Sequence, residues 1–189
     1  VLARIVEATR EAIRKTHYAY QKGYSINDPR FYLLRLAEML HNVEDQTLHL
    51  ILLDFWKAFD TVTPQALEHS ARRLGLDGDV LYALLQFYTE MHYQVWGAKT
   101  NSDTRRQGRG IKQGDPAAAY MFIVLATVVL ADAALRLEQN TDDSVKAALA
   151  TSRLPYRDLG YADDTLLILR SKDSLEKLLH EIEIESEFY

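Results

Sequence analysis

The sequence contains no cysteine among its 189 residues, which excludes a disulfide framework and a zinc site built from thiolates. It also lacks an apolar run long enough to cross a membrane. The longest run, residues 117–131, has 15 residues, whereas a membrane span needs about 20. The basic and apolar pattern of a signal peptide is missing as well. We therefore interpret residues 117–131 as a buried helix, and we expect an intracellular chain without a membrane partner.

Excess positive charge is also missing, because the net charge is −5. This value argues against a chain that binds nucleic acid over its whole surface, but phosphate contacts depend on local patches. One basic patch falls within eight residues and comprises Arg105, Arg106, Arg109 and Lys112. Taken alone, such a run fits a solvated loop slightly better than a phosphate site.

About half of the residues, 48%, are apolar and 26% are charged, a balance that fits one globular domain with a substantial core. Residue spacing and capping signals predict helices over residues 2–16, 29–40, 63–75, 79–92, 116–137 and 171 to the end. Strands are predicted over 47–53, which we expect to be central and buried on both faces, and twice within 155–169. Residues 93–112 resemble a polar, basic hairpin or loop. Together these elements predict a mainly helical α+β fold with a small antiparallel sheet.

Three aspartates stand at strand ends in this prediction. Asp54 follows the first strand directly, and Asp163-Asp164 stand between the two later strands. Two carboxylates about 4 Å apart repel by roughly 4 kcal/mol at an effective dielectric near 20, so a cluster of three needs protons or cations. No Lys or Arg lies within two residues of the pair, although Lys57 is close to Asp54 in sequence. Mg²⁺ is the natural counterion, but ordinary turn chemistry explains an isolated Asp-Asp pair more simply.

Three segments, taken together, resemble the successive palm motifs of reverse transcriptases. They are LLDFWKAFDTV (52–62), GIKQGDP (110–116) and LGYADDTLLIL (159–169), in the family's order. Asp54 and Asp163 are 109 residues apart (163 − 54), as the family spacing requires. The resemblance is strongest to enzymes of non-LTR (LINE-type) retrotransposons, with group II intron enzymes second. Agreement of three motifs in order makes the turn-only interpretation of the aspartates improbable.

The resemblance also covers HYAYQKGYSIND (17–28), similar to the family segment Q-x-G-F-x-x-G-R-S-x-x-D. Gly23, Ser25 and Asp28 match that segment. The departures from the family patterns are His17, Ala19, Trp56, Tyr24, Ala118 and Ala119. The missing arginine at residue 24 puts in doubt any contact it makes with the template or the fingers. None of the departures affects the three aspartates.

The resemblance implies that Asp54 and Asp163 bridge two Mg²⁺ ions, for which Mn²⁺ is a substitute. It makes Asp164 a more peripheral ligand, and it lets the backbone carbonyl of Phe55 complete one coordination sphere. The ions activate the primer 3′-hydroxyl and neutralise the leaving pyrophosphate.

The same resemblance makes Phe59 a sugar gate whose ring excludes a ribose 2′-hydroxyl. Three residues, Lys112, Gln113 and Gly114, are expected beside the incoming nucleotide. Contacts with template or primer are expected from Arg105, Arg106, Arg109 and Tyr161. For Phe59 and Tyr161 the simpler alternative is ordinary packing.

The implied protein is an RNA-directed DNA polymerase whose partners are an RNA template, a DNA primer and dNTPs. Residues 1–45 are expected to be fingers-proximal helices and 46–189 the palm, without a thumb, so this segment alone should be inactive. Fingers, thumb and an endonuclease are expected elsewhere in a longer polyprotein, which acts in the nucleus if the element is eukaryotic. Two alternatives remain: the palm of an RNA-dependent RNA polymerase, and a catalytically silent, RNA-binding scaffold of reverse-transcriptase fold.

Overall fold

The computed structural model describes residues 1–41, 47–98, 100–140 and 156–189. The helices within these ranges are α1 (Leu2–Thr9), α2 (Asn27–His41), α3 (Ala58–Thr61), α4 (Pro64–Arg73), α5 (Gly78–Thr89), α6 (Pro116–Asn140) and α7 (Lys172–Phe188). The strands are β1 (His49–Asp54), β2 (His92–Tyr93), β3 (Arg105–Arg106), β4 (Asp158–Tyr161) and β5 (Asp164–Leu169). The predicted α+β class is confirmed. The predicted fingers–palm boundary at residues 45–46 falls within residues 42–46, which lie outside the described residues.

The chain divides into two compact units. The sheet unit comprises Arg14–Trp56 and Ala126–Phe188. The helix-and-ribbon unit comprises Val1–Ile13, Lys57–Leu125 and Tyr189. The three predicted catalytic aspartates belong to the sheet unit, whereas the predicted nucleotide-binding residues belong to the helix-and-ribbon unit.

The sheet unit is built on an antiparallel three-stranded sheet in the order β1–β5–β4. Leu167 and Leu169 on β5 belong to a core cluster with apolar residues of α6 and α7. Ile168 and Leu166 belong to a second cluster with apolar residues of α2. Because neighbouring residues of a strand point to opposite faces, β5 is covered on both faces.

The expectation that the first strand is central is wrong. Strand β1 pairs with β5 on one side, and its burial alternates along its length. Leu52 remains 69% exposed, and Leu50 is exposed as well. The continuous apolar run predicted burial on both faces, but on one face of this strand the described residues leave Leu50 and Leu52 accessible.

The first helix is shorter than predicted, because it ends at Thr9 rather than near residue 16. Beyond it, within the sheet unit, the chain runs beside β4. The Gly160 amide donates to the Thr16 carbonyl (2.8 Å), and the Tyr18 amide donates to the Gly160 carbonyl (2.9 Å). This pairing with the sheet overrides the helical spacing of the sequence.

The other helices begin close to their predicted positions. The Thr63 hydroxyl accepts from the Ala66 amide at 3.0 Å and caps α4, as predicted, with Pro64 as the first helical residue. Helix α5 begins at Gly78, one residue before the predicted start at Asp79, with Asp77 as its cap. It ends at Thr89 rather than at His92 because β2 begins there.

Helix α6 is longer than the apolar run that marks it. Pro116–Gln139 is long and apolar enough to span a membrane, but 78% of its most apolar stretch is buried inside the protein. Little of that surface remains for lipid, so the interpretation as a buried helix stands.

Candidate active site

Two of the three predicted catalytic aspartates lie side by side at one end of the sheet. Asp54 ends β1 and is directly opposite Asp164, the first residue of β5. Asp164 is in turn opposite Tyr161, the last residue of β4. Because directly opposite residues of antiparallel strands point to the same face with Cβ atoms about 5 Å apart, the three side chains form one row. Asp54 and Asp164 are exposed.

Asp163, the third aspartate, lies in the two-residue turn that joins β4 and β5. Ala162 occupies the first turn position with a φ of 59°, a left-handed conformation that an alanine rarely adopts. A positive φ at the first turn position is typical of the tight turns that match strand twist. The turn thereby fixes Asp163 immediately before Asp164.

None of the three carboxylates has a cationic partner among the described residues. Their side chains make no ion pair and no hydrogen bond there, and Asp54 is directly opposite another acid, Asp164. Three oxygen ligands of one charge fit a hard divalent cation such as Mg²⁺. In the described ranges no group of three acidic, His or Cys side chains is close enough to hold a metal ion as it stands. The donor chemistry therefore fits the predicted ions, but the ligand set is not closed.

The carboxylate row continues into an apolar surface that the sequence did not predict. Leu52 precedes Asp54 by two residues and therefore lies on the same face of β1. Trp56, just beyond the strand, is 76% exposed. The sequence signal that could have predicted this surface is Trp56 itself, two residues after Asp54, because a small residue is usual at that position in the family. On β1 the row is thus bordered by an exposed apolar side chain, Leu52.

In the helix-and-ribbon unit, the predicted sugar gate is held by packing. The Phe59 ring stacks on the buried ring of Phe122, with centroids 5.3 Å apart and planes 18° apart. The Ile111 amide donates to the Phe59 carbonyl at 2.7 Å, and the Gly110 amide donates to the Val62 carbonyl at 2.7 Å. These bonds fix the segment that leads into Gln113 beside the helix that carries Phe59.

Gly110 is required where these two segments meet. Its φ is +96°, and a Cβ added there would lie 3.1 Å from the Asp60 carbonyl oxygen. Any other residue would therefore force the two segments apart. This glycine opens the motif GIKQGDP, and its structural role was not predicted from the sequence.

The next turn presents Lys112, Gln113 and Gly114. It is closed by a bond from the Asp115 amide to the Lys112 carbonyl at 3.2 Å. The Asp115 carboxylate accepts from the Ala117 amide at 2.9 Å and caps helix α6. Asp115, missed in the sequence analysis, thus stabilises the start of α6 beside the predicted nucleotide-binding residues.

The predicted basic patch is not uniform. Arg106 donates through Nε and Nη2 to the Thr89 carbonyl (3.0 and 2.8 Å), so its guanidinium caps the C-terminus of α5. Arg105, Arg109 and Lys112 have no ion-pair partner in the part of the chain that the structure describes. Arg106 therefore has a structural role that its neighbours lack.

Comparison with known proteins agrees with this fold and these motifs. Residues 1–187 match the family described as "Reverse transcriptase (RNA-dependent DNA polymerase)". A Retrovirus-related Pol polyprotein from type-1 retrotransposable element R2 of Popillia japonica is 30% identical over 181 residues, 93% of this chain. An R2 polyprotein of Nasonia vitripennis is 28% identical over 136 residues, 72% of the chain. The chain spans about a quarter of the first relative's length and an eighth of the second's (24% and 12%).

Solved structures show the same fold at low sequence identity. Apo telomerase from Candida tropicalis, truncated from its C-terminal domain, superposes with a TM-score of 0.67 over 96% of this chain and 36% of that one, at 16% identity. Telomerase from Candida albicans, in complex with a fragment of telomeric RNA, gives 0.64 over 95% of this chain and 30% of that one, at 11% identity. The predicted family and its palm-like fold are confirmed: the chain belongs to the reverse transcriptase family.

Proposed function

We propose that this protein is the catalytic core of an RNA-directed DNA polymerase that adds dNTPs to a primer 3′-hydroxyl by two-metal catalysis. The observation that carries the proposal is the row formed by Asp54 and Asp164 with Asp163 in the adjoining turn. This acidic end of the sheet has no cationic partner among the described residues. Side chains fixed on paired strands keep their spacing better than side chains on a free loop.

In this proposal Asp54, Asp163 and Asp164 hold two Mg²⁺ ions, with the Phe55 carbonyl as a further ligand. When bound, the ions supply Lewis-acid chemistry that activates the primer hydroxyl and neutralises pyrophosphate. The strand register bears on the individual roles. Asp164 is directly opposite Asp54, whereas Asp163 depends on the turn for its direction. We therefore expect Asp164 to contribute more than its peripheral position in the family scheme implies.

The helix-and-ribbon unit would bind the nucleotide. The Phe59 ring, held against Phe122, excludes the 2′-hydroxyl of a ribonucleotide. The Gln113 amide bonds the sugar or base, Gly114 lets the backbone approach, and Lys112 binds phosphate. Tyr161, next to Asp164 in the row, would pack near the primer terminus.

The relatives support the proposed partners. Because the R2 proteins are polyproteins much longer than this chain, we propose that the segment belongs to a longer polyprotein. The family resemblance implies that fingers, thumb and an endonuclease are its further parts. An RNA template and a DNA primer are its proposed substrates, and the nucleus is its site of action in a eukaryotic host. Residues 1–189 alone would polymerise poorly or not at all.

The test is template-primer extension by the full-length protein with Mg²⁺ and dNTPs. We expect extension on an RNA template, and we expect Asp163→Asn to reduce the rate about a thousandfold, since metal coordination contributes several kcal/mol to the transition state. Circular dichroism should show an unchanged fold. A catalytically silent scaffold would extend nothing in either form, and retention of more than a few per cent of the rate by the variant would refute the assignment.

Sugar selection gives a separate test. Phe59→Val should admit ribonucleotides, because the smaller side chain leaves room for a 2′-hydroxyl. The expected change is about tenfold or more in the ratio of kcat/KM for dNTP to that for rNTP. Phe122→Leu removes the stacked ring but keeps Phe59, and should change the ratio less. An RNA-dependent RNA polymerase would prefer rNTPs without any substitution, and an unchanged ratio in Phe59→Val would remove the gate role.

A further inference from the structure

The β2–β3 ribbon projects aromatic and basic side chains into solvent. Tyr93 is 48% exposed and Trp96, just beyond the paired residues, is 79% exposed. Trp96 is the most exposed large apolar side chain in the described ranges. Single exposed apolar residues are common, but two aromatics within four residues on a narrow ribbon form a candidate contact surface.

The ribbon has a fixed base and a free face. On one face His92 Nδ1 lies 2.8 Å from the Glu90 carbonyl, and Arg106 caps α5 through Thr89. His92 and Arg106 are directly opposite each other, and so are Tyr93 and Arg105. Because alternate residues point to opposite faces, Tyr93 and Arg105 share the face that is turned away from α5.

The ribbon's conformation is maintained beyond its two paired residues. The Ser102 amide donates to the Val95 carbonyl, and the Val95 amide donates to the Ser102 hydroxyl, both at 2.9 Å. Gln94 Nε2 donates to the Ser102 carbonyl at 2.8 Å. Trp96 is therefore presented from an ordered ribbon end, which reduces the entropy lost when a ligand binds.

The local charge favours an anionic ligand. Residues 91–112 contain five Lys or Arg and one acidic residue, a net charge of +4, so the remaining residues carry −9 against a total of −5. This positive segment on an acidic chain attracts a polyanion. Arg105 and Arg109 are available for phosphates, since neither has an ion-pair partner among the described residues.

We propose that the exposed ribbon side chains Tyr93, Trp96 and Arg105 bind unpaired bases of a single-stranded nucleic acid by stacking. Aromatic rings and guanidinium planes stack on any base, and they reach bases only where these are unpaired. Arg105 and Arg109 then contact the flanking phosphates. Arg106 is a positioning residue, because its guanidinium ties the ribbon to α5. Only the choice of a nucleic acid over a protein ligand draws on the proposed function, and binding needs neither metal ions nor catalysis.

The experiment measures fluorescence anisotropy of labelled single-stranded RNA, single-stranded DNA and a blunt duplex with the full-length protein, in EDTA. We expect both single strands to bind more tightly than the duplex. Tyr93→Leu and Trp96→Leu should each weaken single-strand binding about tenfold, and Tyr93→Phe should preserve it, since one stacked base contributes that much. Arg105→Ala should also lower the salt dependence by about 0.7 in log–log slope, which the Tyr93 substitutions leave unchanged.

Two matched variants serve as controls. Tyr82→Leu removes an exposed tyrosine of α5, and Arg4→Ala removes an exposed arginine of α1, both outside the ribbon. Both should bind like the parent protein. The leucine substitutions keep apolar bulk on the ribbon, and circular dichroism checks the fold. If Tyr93→Leu and Tyr82→Leu bind equally well, or if the duplex binds more tightly than the single strands, the proposal is wrong. EDTA abolishes polymerisation, so the binding experiment and the extension assay are independent. A negative binding result does not refute the proposed catalysis, and a negative extension result does not refute binding by the ribbon.

Discussion

The β4–β5 hairpin carries aspartates at both ends, and the two ends differ in what surrounds the carboxylates. At the start of β4, Asp158 is buried, forms an ion pair with Arg14, and accepts from the Thr16 hydroxyl at 2.7 Å. At the turn, Asp163 and Asp164 have no such partner among the described residues. The carboxylate at the start of β4 thus has partners within the protein, whereas the carboxylates at the turn have none among the described residues.

This difference separates a structural acid from the proposed catalytic acids on one small hairpin. A buried carboxylate without a partner is costly, so the fold supplies Asp158 with a cation and a hydroxyl. An exposed carboxylate row is tolerated because water screens it, and it stays available for a ligand. The same residue type thus stabilises the sheet at one end and is exposed to solvent, in the position of the proposed metal ligands, at the other.

The largest expected effects come from replacing one aspartate at each end. Asp54→Asn should reduce primer extension by the full-length protein about a thousandfold, because a proposed metal ligand is lost. The free energy of unfolding should stay the same or rise slightly, because one of the like charges in the row is removed. Asp158→Asn should do the opposite. It should cost about 3 kcal/mol of stability, since Arg14 loses its partner, with activity per folded molecule retained. Urea denaturation and extension assays on both variants measure the two effects.

The comparison fails if the two variants behave alike. Loss of stability in Asp54→Asn would mean that the row is held by interactions within the protein. Unchanged stability in Asp158→Asn would mean that the ion pair with Arg14 contributes nothing net. Thr16→Val sharpens the result, because it removes the hydroxyl donor to Asp158 and leaves the ion pair. It should cost about 1 kcal/mol.

A smaller effect is expected from His17, at the satisfied end. Burial lowers the pKa of His17 to about 4, although Asp158 raises it, and Arg14 lowers it further. Because this folded value lies below the unfolded 6.5, only the unfolded chain takes up the proton between these values, so stability falls as pH decreases from about 6.5 to 4. His17→Gln should abolish about 2 kcal/mol of stability difference between pH 7 and pH 5.

The measurement is urea unfolding of parent and variant at pH 7, 6 and 5. His180→Gln is the matched control, since His180 is exposed on α7 and should leave the pH dependence unchanged. Equal pH dependence in His17→Gln and the parent would show that His17 is accessible to protons in the folded protein. Glutamine is the residue usual at this family position, so the variant should fold.

The sequence predicted the acidic end of the hairpin better than the satisfied end. Asp54, Asp163 and Asp164 follow strand signals, and strand ends can be located from apolar runs and turn residues. The ion pair of Arg14 with Asp158 joins residues 144 positions apart, and no local pattern encodes such a contact. Arg14 lay in a predicted helix, whereas the neighbouring residues 16–18 pair with Gly160.

For the same reason, the sequence could not show whether β1 is an edge strand or a central strand of the sheet. TLHLILL is apolar throughout, which predicted burial on both faces, yet β1 is an edge strand with exposed leucines. Which strand lies in the centre depends on long-range pairing and on which helices cover each face. Arg106 shows the same limit, since its bond to Thr89 spans 17 residues that include the whole ribbon.

The smallest expected effect concerns the turn that carries Asp163. Ala162 has a φ of 59°, which costs an alanine about 1 kcal/mol that a glycine avoids. The glycine loses more entropy on folding, so Ala162→Gly should stabilise the protein by about 0.5 kcal/mol net, or about 1–2 °C in Tm. Extension activity should stay within about twofold, because the strand ladder on both sides of the turn maintains Asp164 opposite Asp54. A lower Tm would mean that the alanine methyl group makes a compensating contact. A large loss of activity at unchanged Tm would mean that a rigid residue at 162 is needed to direct the Asp163 carboxylate, and the acidic end would then depend on backbone strain as well as on strand register.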